Sequence, residues 1–130
     1  MILLDTHTAV WMSTDKRQLS VSAAEAIRKE SRAAGGVAVA SSSLWEISMM
    51  SSKGRFLLPR PLTEYLRYIE SKYVVLPITG AIAERAMLFT GKFPNDPTDR
   101  LIAATAVVHN IKLVTKDKPI RQSQQVDCIW

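Results

Sequence analysis

Cysteine is all but absent from this chain of 130 residues, with Cys128 the only one. It can form neither an intrachain disulfide nor, alone, a cysteine zinc site, and a reducing cytosol is the expected compartment. Histidine is nearly as scarce. His7 and His109 are far apart in sequence, so no histidine cluster competes for zinc, and His109 beside Asn110 reads as the C-terminal residue of a helix. Long hydrophobic runs are missing too: the opening stretch Met1 to Leu4 stops at Asp5, too short for a signal peptide or a membrane span, so no membrane partner is expected. There is no Gly-rich phosphate loop, and the serine run Ser41 to Ser43 lacks the Gly-x-Ser-x-Gly elbow of a nucleophilic hydrolase. These absences leave chemistry carried by carboxylates.

What remains is the composition of a globular protein, 47% hydrophobic and 22% charged, and the length suits one domain spanning 1–130. Seventeen Lys and Arg stand against twelve Asp and Glu, a net charge of +5 that favours a polyanionic partner. Trp11, Trp45 and Trp130 read as core or interface aromatics rather than base-stacking platforms.

Extended and helical patterns alternate from end to end. "MILLD" reads as a buried strand and the segment through Ala9, Val10, Trp11 and Met12 as a helix. "SVSAAEAIRKESRAAGG" has a serine start, an alanine-rich body and a double-glycine stop, and is read as a helix. "VAVASS" gives the second strand, "SLWEISMMSSKG" a short helix ending at Gly54, and "RPLTEYLRYIESK" a helix with Leu62, Tyr65, Leu66 and Ile69 on one face. "YVVLPI" is a third strand, followed by the helix "TGAIAERAMLFTG". "NDPTDRLIAATA" opens an apolar helix reaching Asn110, "IKLVTKD" a fourth strand, and "VDCIW" a possible fifth. Strands alternating with helices imply crossover connections, hence an α/β fold of three layers with a central parallel sheet of four to five strands.

Open sheets of this kind bind ligands beyond the carboxyl ends of their strands. Asp5 ends the first strand, Asp117 follows the fourth, Glu46 is expected in the first turn of the helix after the second, and Asp99 in the first turn of its own helix. Each has an ordinary alternative. Ser43-Leu44-Trp45-Glu46 fits a capping box; Asp96 fits an N-cap before Pro97, with Asp99 two residues further; Asp5 and Asp117 could cap the segments after them. Capping alone does not explain why four carboxylates converge on one end of the sheet, where like charges raise one another's pKa unless a cation neutralises them. A hard divalent cation, Mg²⁺ or Mn²⁺, resolves the crowding. Such a site activates a water and stabilises the oxyanions of phosphodiester hydrolysis. Arg100, Lys116 and Lys118, neighbours of these acids, are candidates to guide a nucleic-acid backbone, with ordinary surface charge as the alternative.

With the acids placed, the whole chain resembles a PIN-domain ribonuclease, and specifically the VapC-type toxins of bacterial toxin–antitoxin pairs. "MILLDTHTAVW" is similar to the opening strand of that family, with its first metal-site aspartate at Asp5 and a hydroxyl neighbour at Thr6. "SSSLWEISMM" resembles the second block and carries its acid to Glu46. "DPTDRLIAATA" is similar to the third, with Asp99 as the acid; Asp96, the N-cap before Pro97, is read from its position as a supporting carboxylate. "KLVTKD" resembles the last, with Asp117 as the fourth acid and Thr115 as a supporting hydroxyl. Many relatives carry a lysine four residues after the glutamate, where this chain has Met50.

The resemblance implies a PIN-type sheet, dependence on Mg²⁺ or Mn²⁺, and cleavage of RNA. It also implies homodimerisation, inhibition by a cognate VapB-type antitoxin, contact with operator DNA only through the antitoxin complex, and a cytoplasmic location. Two other readings stand beside it. A PIN fold that binds partners without catalysis is one. A haloacid dehalogenase-like phosphatase is the other, disfavoured because Asp5-Thr6-His7-Thr8 lacks a second aspartate two residues on. A receiver domain would need an acceptor aspartate after the third strand, and "YVVLPIT" has none.

Overall fold

The computed structural model describes residues 1–130. Five strands, β1 (Ile2–Leu4), β2 (Val37–Ala40), β3 (Val74–Leu76), β4 (Lys112–Val114) and β5 (Cys128–Ile129), form one parallel sheet in the order β3-β2-β1-β4-β5. Seven helices connect them: α1 (Thr6–Thr14), α2 (Val21–Ser31), α3 (Ser41–Ser52), α4 (Leu62–Lys72), α5 (Gly80–Met87), α6 (Pro97–Val108) and α7 (Lys118–Ser123). The expected α/β architecture is therefore present with five strands. The short helix α7 and a 3₁₀ turn at Lys16–Gln18 went unread in the sequence.

The strands are short and buried on both faces, and their period of two sorts side chains cleanly between two cores. Leu3, Ala38, Ala40 and Leu113 join α5 and α6 in one cluster, while Ile2, Leu4, Val37, Val39 and Val114 join residues of α1, α2 and α4 in the other. The first core is small-residued on both sides, with Ala38 and Ala40 of β2 meeting Ala103, Ala104 and Ala106 of α6 in one cluster, so α6 can approach the sheet closely. The larger members carry the energy. Leu3 and Ile102 are fully buried, each stabilising the fold by about 1.5–3 kcal/mol.

Helix ends follow the sequence signals where those signals are local. Ser20 caps α2 through Ala23 N and Thr79 caps α5 through Ile82 N. Gly54, at φ +70°, closes α3: Arg55 N bonds Met50 O at 2.9 Å and Gly54 N bonds Ser51 O at 3.0 Å, the paired bonds of a left-handed C-terminal turn. Asn110 does the same for α6 at φ +53°. No helix is long and apolar enough to cross a membrane.

The order of the strands decides where a site can form. From β1 the chain moves outward to β2 and β3, then returns to the other side of β1 for β4 and β5. The reversal falls between β1 and β4, and the crevice beyond their carboxyl ends is where Asp5 and Asp117 emerge.

Candidate metal centre

Asp5 is the first residue after β1 and the N-cap of α1. Its Oδ1 accepts the Thr6 amide at 2.8 Å and its Oδ2 accepts the Thr115 hydroxyl at 2.6 Å, with the residue only 8% exposed. Thr115, just beyond β4, also accepts the Asp117 amide on its hydroxyl at 3.0 Å. Asp117 N–H, Thr115 O–H and Asp5 thus form a short relay across the switch point. Asp117 in turn caps α7, accepting Ile120 N at 2.8 Å. Thr6 turns its own hydroxyl to Ser43 at 2.9 Å, tying α1 to α3 instead of touching an acid by its side chain.

On the other side, Asp96 caps α6, accepting the amides of Thr98 at 2.9 Å and Asp99 at 3.2 Å, with Pro97 in the first turn. Thr98, buried between α6 and α3, donates its hydroxyl to Glu46 Oε2 at 2.7 Å and also lies against Asp96 Oδ1. A hydroxyl has one proton, so Thr98 bridges two carboxylates with one donor. Glu46 is not part of a capping box. α3 begins at Ser41 with Ala40 as its uncapped N-cap, which places Glu46 in the second turn and leaves Ser43 to meet Thr6.

Five carboxylates, of Asp5, Glu46, Asp96, Asp99 and Asp117, line one cleft of about 510 Å³ together with His7, Trp11, Met49, Met50, Arg55 and Lys116. All four acids read as ligands in the sequence are there. Asp96, read as support, has joined them: single oxygens of Glu46, Asp96 and Asp99 lie within 4.8 Å of one another. On a hexacoordinate Mg²⁺ with bonds of about 2.1 Å, adjacent oxygens are roughly 3.0 Å apart and opposed ones roughly 4.2 Å, so this all-oxygen set has the chemistry for a hard cation and would draw together to hold one. The chain's ion pairs, Met1–Glu30, Arg17–Asp15 and Lys112–Asp127, involve none of the five.

The electrostatic consequence is sharpest at Asp99. Burial, then the charges of Asp5, Asp96, Asp117 and Glu46, push its carboxyl up to about 7. Burial also raises Asp5, against the lowering pull of its bonds from Thr115 and Thr6. Asp96 goes the other way: the Thr98 hydroxyl, with the Asp99 and Thr98 amides, holds it below the usual carboxylate range. With a pKa near 7, Asp99 is about half protonated at neutral pH, the response expected of carboxylates crowded without a counter-ion.

Three sequence expectations change. Arg100 does not face the cleft; its guanidinium donates to the carbonyls of Pro94 at 2.9 Å and Ala86 at 3.1 Å, and so fastens the loop before α6 to the end of α5. Trp45 is no core residue, being 60% exposed. Trp11 lines the cleft. Conversely, Arg55 and Thr98 were missed. Gly54 was a visible signal for the turn that precedes Arg55, whereas the Thr98–Glu46 bond spans 52 residues and has no local signature. Lys116 lines the cleft as expected, while Lys118 is an exposed residue of the first turn of α7.

Comparison with known proteins bears on the family and the fold. A family model described as PIN domain matches residues 2–123. The chain is 37% identical over 120 residues to the ribonuclease VapC22 of Mycobacterium tuberculosis, covering 92% of this chain and 89% of that protein. Its fold is similar to a chain of the VapBC2 complex of Rickettsia felis bound to a promoter DNA fragment, with a TM-score of 0.73 at 18% identity over 98% of this chain and 97% of that one. It is likewise similar to a chain of DNA-bound VapBC from Salmonella typhimurium, with a TM-score of 0.71 at 18% identity over 98% and 97%.

Proposed function

The chain belongs to the PIN-domain family, in its VapC ribonuclease branch, and we propose that it is a toxin endoribonuclease hydrolysing RNA phosphodiester bonds with Mg²⁺ or Mn²⁺ held by Asp5, Glu46, Asp99 and Asp117. The observation that carries this reading is the meeting of five carboxylates in one cleft with no basic side chain paired to any of them. A divalent cation held there supplies the charge that activates a water and offsets the developing negative charge on the phosphate oxygens.

The chain's own residues supply position. Thr115 fixes Asp5 and the Asp117 backbone, and Thr98 fixes Glu46 against Asp96, so that ligands from β1, α3, α6 and the end of β4 stay aligned before RNA arrives. Lys116 and Arg55, which line the cleft without a salt-bridge partner, take RNA phosphates beside the acids. By analogy with the DNA-bound VapBC complexes, a VapB-type antitoxin binds this chain and operator DNA is reached through that complex; the resemblance to VapC-type toxins further implies a homodimer that the antitoxin neutralises.

A direct test is cleavage of RNA by purified protein with Mg²⁺, Mn²⁺ or a chelator, alongside Asp5→Asn and Asp99→Asn. Calorimetric cation titration of the same three proteins reads ligand loss independently of activity. Cleavage that persists in chelator, or in both variants, overturns the reading. A protein that binds antitoxin tightly but never cleaves RNA would be a non-catalytic member of the fold.

A further inference from the structure

We propose that the aromatic wall of the acidic cleft is a nucleobase subsite, in which the Trp11 indole stacks an unpaired base of the RNA beside the phosphodiester being cut. This deepens, and rests on, the ribonuclease reading of the same cleft.

His7 and Trp11 lie one helical turn apart on α1, the helix capped by Asp5. One rigid element therefore sets both a carboxylate of the centre and the rings beside it. The His7 ring is 5.6 Å from the Trp11 centroid and 5.2 Å from that of Phe56, and Trp11 is 6.2 Å from Trp130, giving a continuous row of four rings. None of the four is fully buried. Lys116 Nζ sits 5.6 Å from the Trp11 centroid, within the range of a cation–π contact.

A metal centre has no use for an indole, whereas single-stranded nucleic acid is held by this very pairing of ring and cation, the ring taking a base and the cation its phosphate. The cleft's volume of about 510 Å³ falls among cavities that take one small molecule, ~300–1,000 Å³. A volume of that order takes one nucleotide, and RNA read by sequence generally presents its bases unpaired.

The test is an abasic scan. An RNA cleaved by the wild-type protein is remade with a base-free ribose at each nucleotide flanking the scissile bond, and kcat/KM is measured for wild type, Trp11→Leu and Trp11→Phe. Stacking of one base on an aromatic ring makes one abasic position cost wild type about tenfold or more. Trp11→Leu should lose a similar factor on intact RNA and little more on the abasic one, and Trp11→Phe should recover most of the loss. Thermal midpoints and their shift with Mn²⁺ should match wild type in both variants. A flat scan in wild type overturns the subsite on its own, even if Trp11→Leu does not fold. An abasic penalty equal in wild type and Trp11→Leu also overturns it. Wild type that cleaves no RNA with any divalent cation overturns instead the reading beneath it, and the subsite with it.

Discussion

Two kinds of carboxylate meet in the cleft. Asp5, Asp96 and Asp117 are helix caps whose oxygens accept backbone amides, while Glu46 and Asp99 lie within α3 and α6 and cap nothing. Amide donors fix a cap's position and favour its charge; at the exposed Asp96 they add to the larger pull of the Thr98 hydroxyl, and together these hold it below the usual carboxylate range. At Asp5 the same kind of bonding is outweighed by burial. Asp99, with neither an amide nor a hydroxyl to favour its charge, is the group the cluster forces toward protonation. The caps thus anchor the centre to the fold, and the uncapped pair makes its charge depend on a cation.

The largest expected effect separates these duties outright. Asp99→Asn and Glu46→Gln should reduce metal-dependent RNA cleavage by more than the ~10–100-fold typical of losing a supporting partner, while thermal stability without metal holds or rises because like-charge crowding is relieved. A marked loss of stability in Asp99→Asn would break the distinction. Next comes Asp96, where the two duties overlap. Asparagine caps as well as aspartate, so Asp96→Asn should keep stability and still lose about tenfold or more in cleavage. Asp96→Ala should lose about 1 kcal/mol in denaturant unfolding besides.

Arg100 lies outside the contrast and checks it. Arg100→Gln should cost about 1–3 kcal/mol through orphaned carbonyls and leave the salt dependence of RNA binding unchanged. Stability should also depend on pH. Asp99 titrates from an ordinary value of 3.8 in the unfolded chain to about 7 in the folded one, so the folded state holds a proton the unfolded state has released. In chelator, stability should therefore decline as pH rises between those values and level off above them. Differential scanning fluorimetry from pH 4 to 8 would read this. The decline should shrink in Asp99→Asn, with Asp5 still contributing in the same direction, and stabilisation by Mn²⁺ should grow across the same window.

Most of the fold was legible because buried parallel strands and capped helices announce themselves within a few residues. Asp5 after "ILL", Asp96 before Pro97 and Gly54 after "SSK" each act locally. Errors arose where local grammar competed with packing. Ser41 to Ser43 read as the end of a strand and the start of a capping box, yet α3 begins at once, because Ser43 is recruited by Thr6 and Ser41 Oγ accepts Ile78 N. Arg100 follows Asp99 in sequence but points about 100° around the helix from it, so adjacency did not put it in the cleft. Thr98 as a bridge depends on how α3 meets α6, which no window of sequence contains.

The sheet order adds a consequence in time. β4 lies beside β1, and Thr115 and Asp117 close a cleft whose first carboxylate is Asp5. During synthesis the chain carries Asp5, Glu46 and Asp99 long before their last partner exists. Until β4 is laid beside β1, the cleft lacks Asp117 and the hydroxyl that fixes Asp5, so the cluster is completed only by residues made after all its other carboxylates.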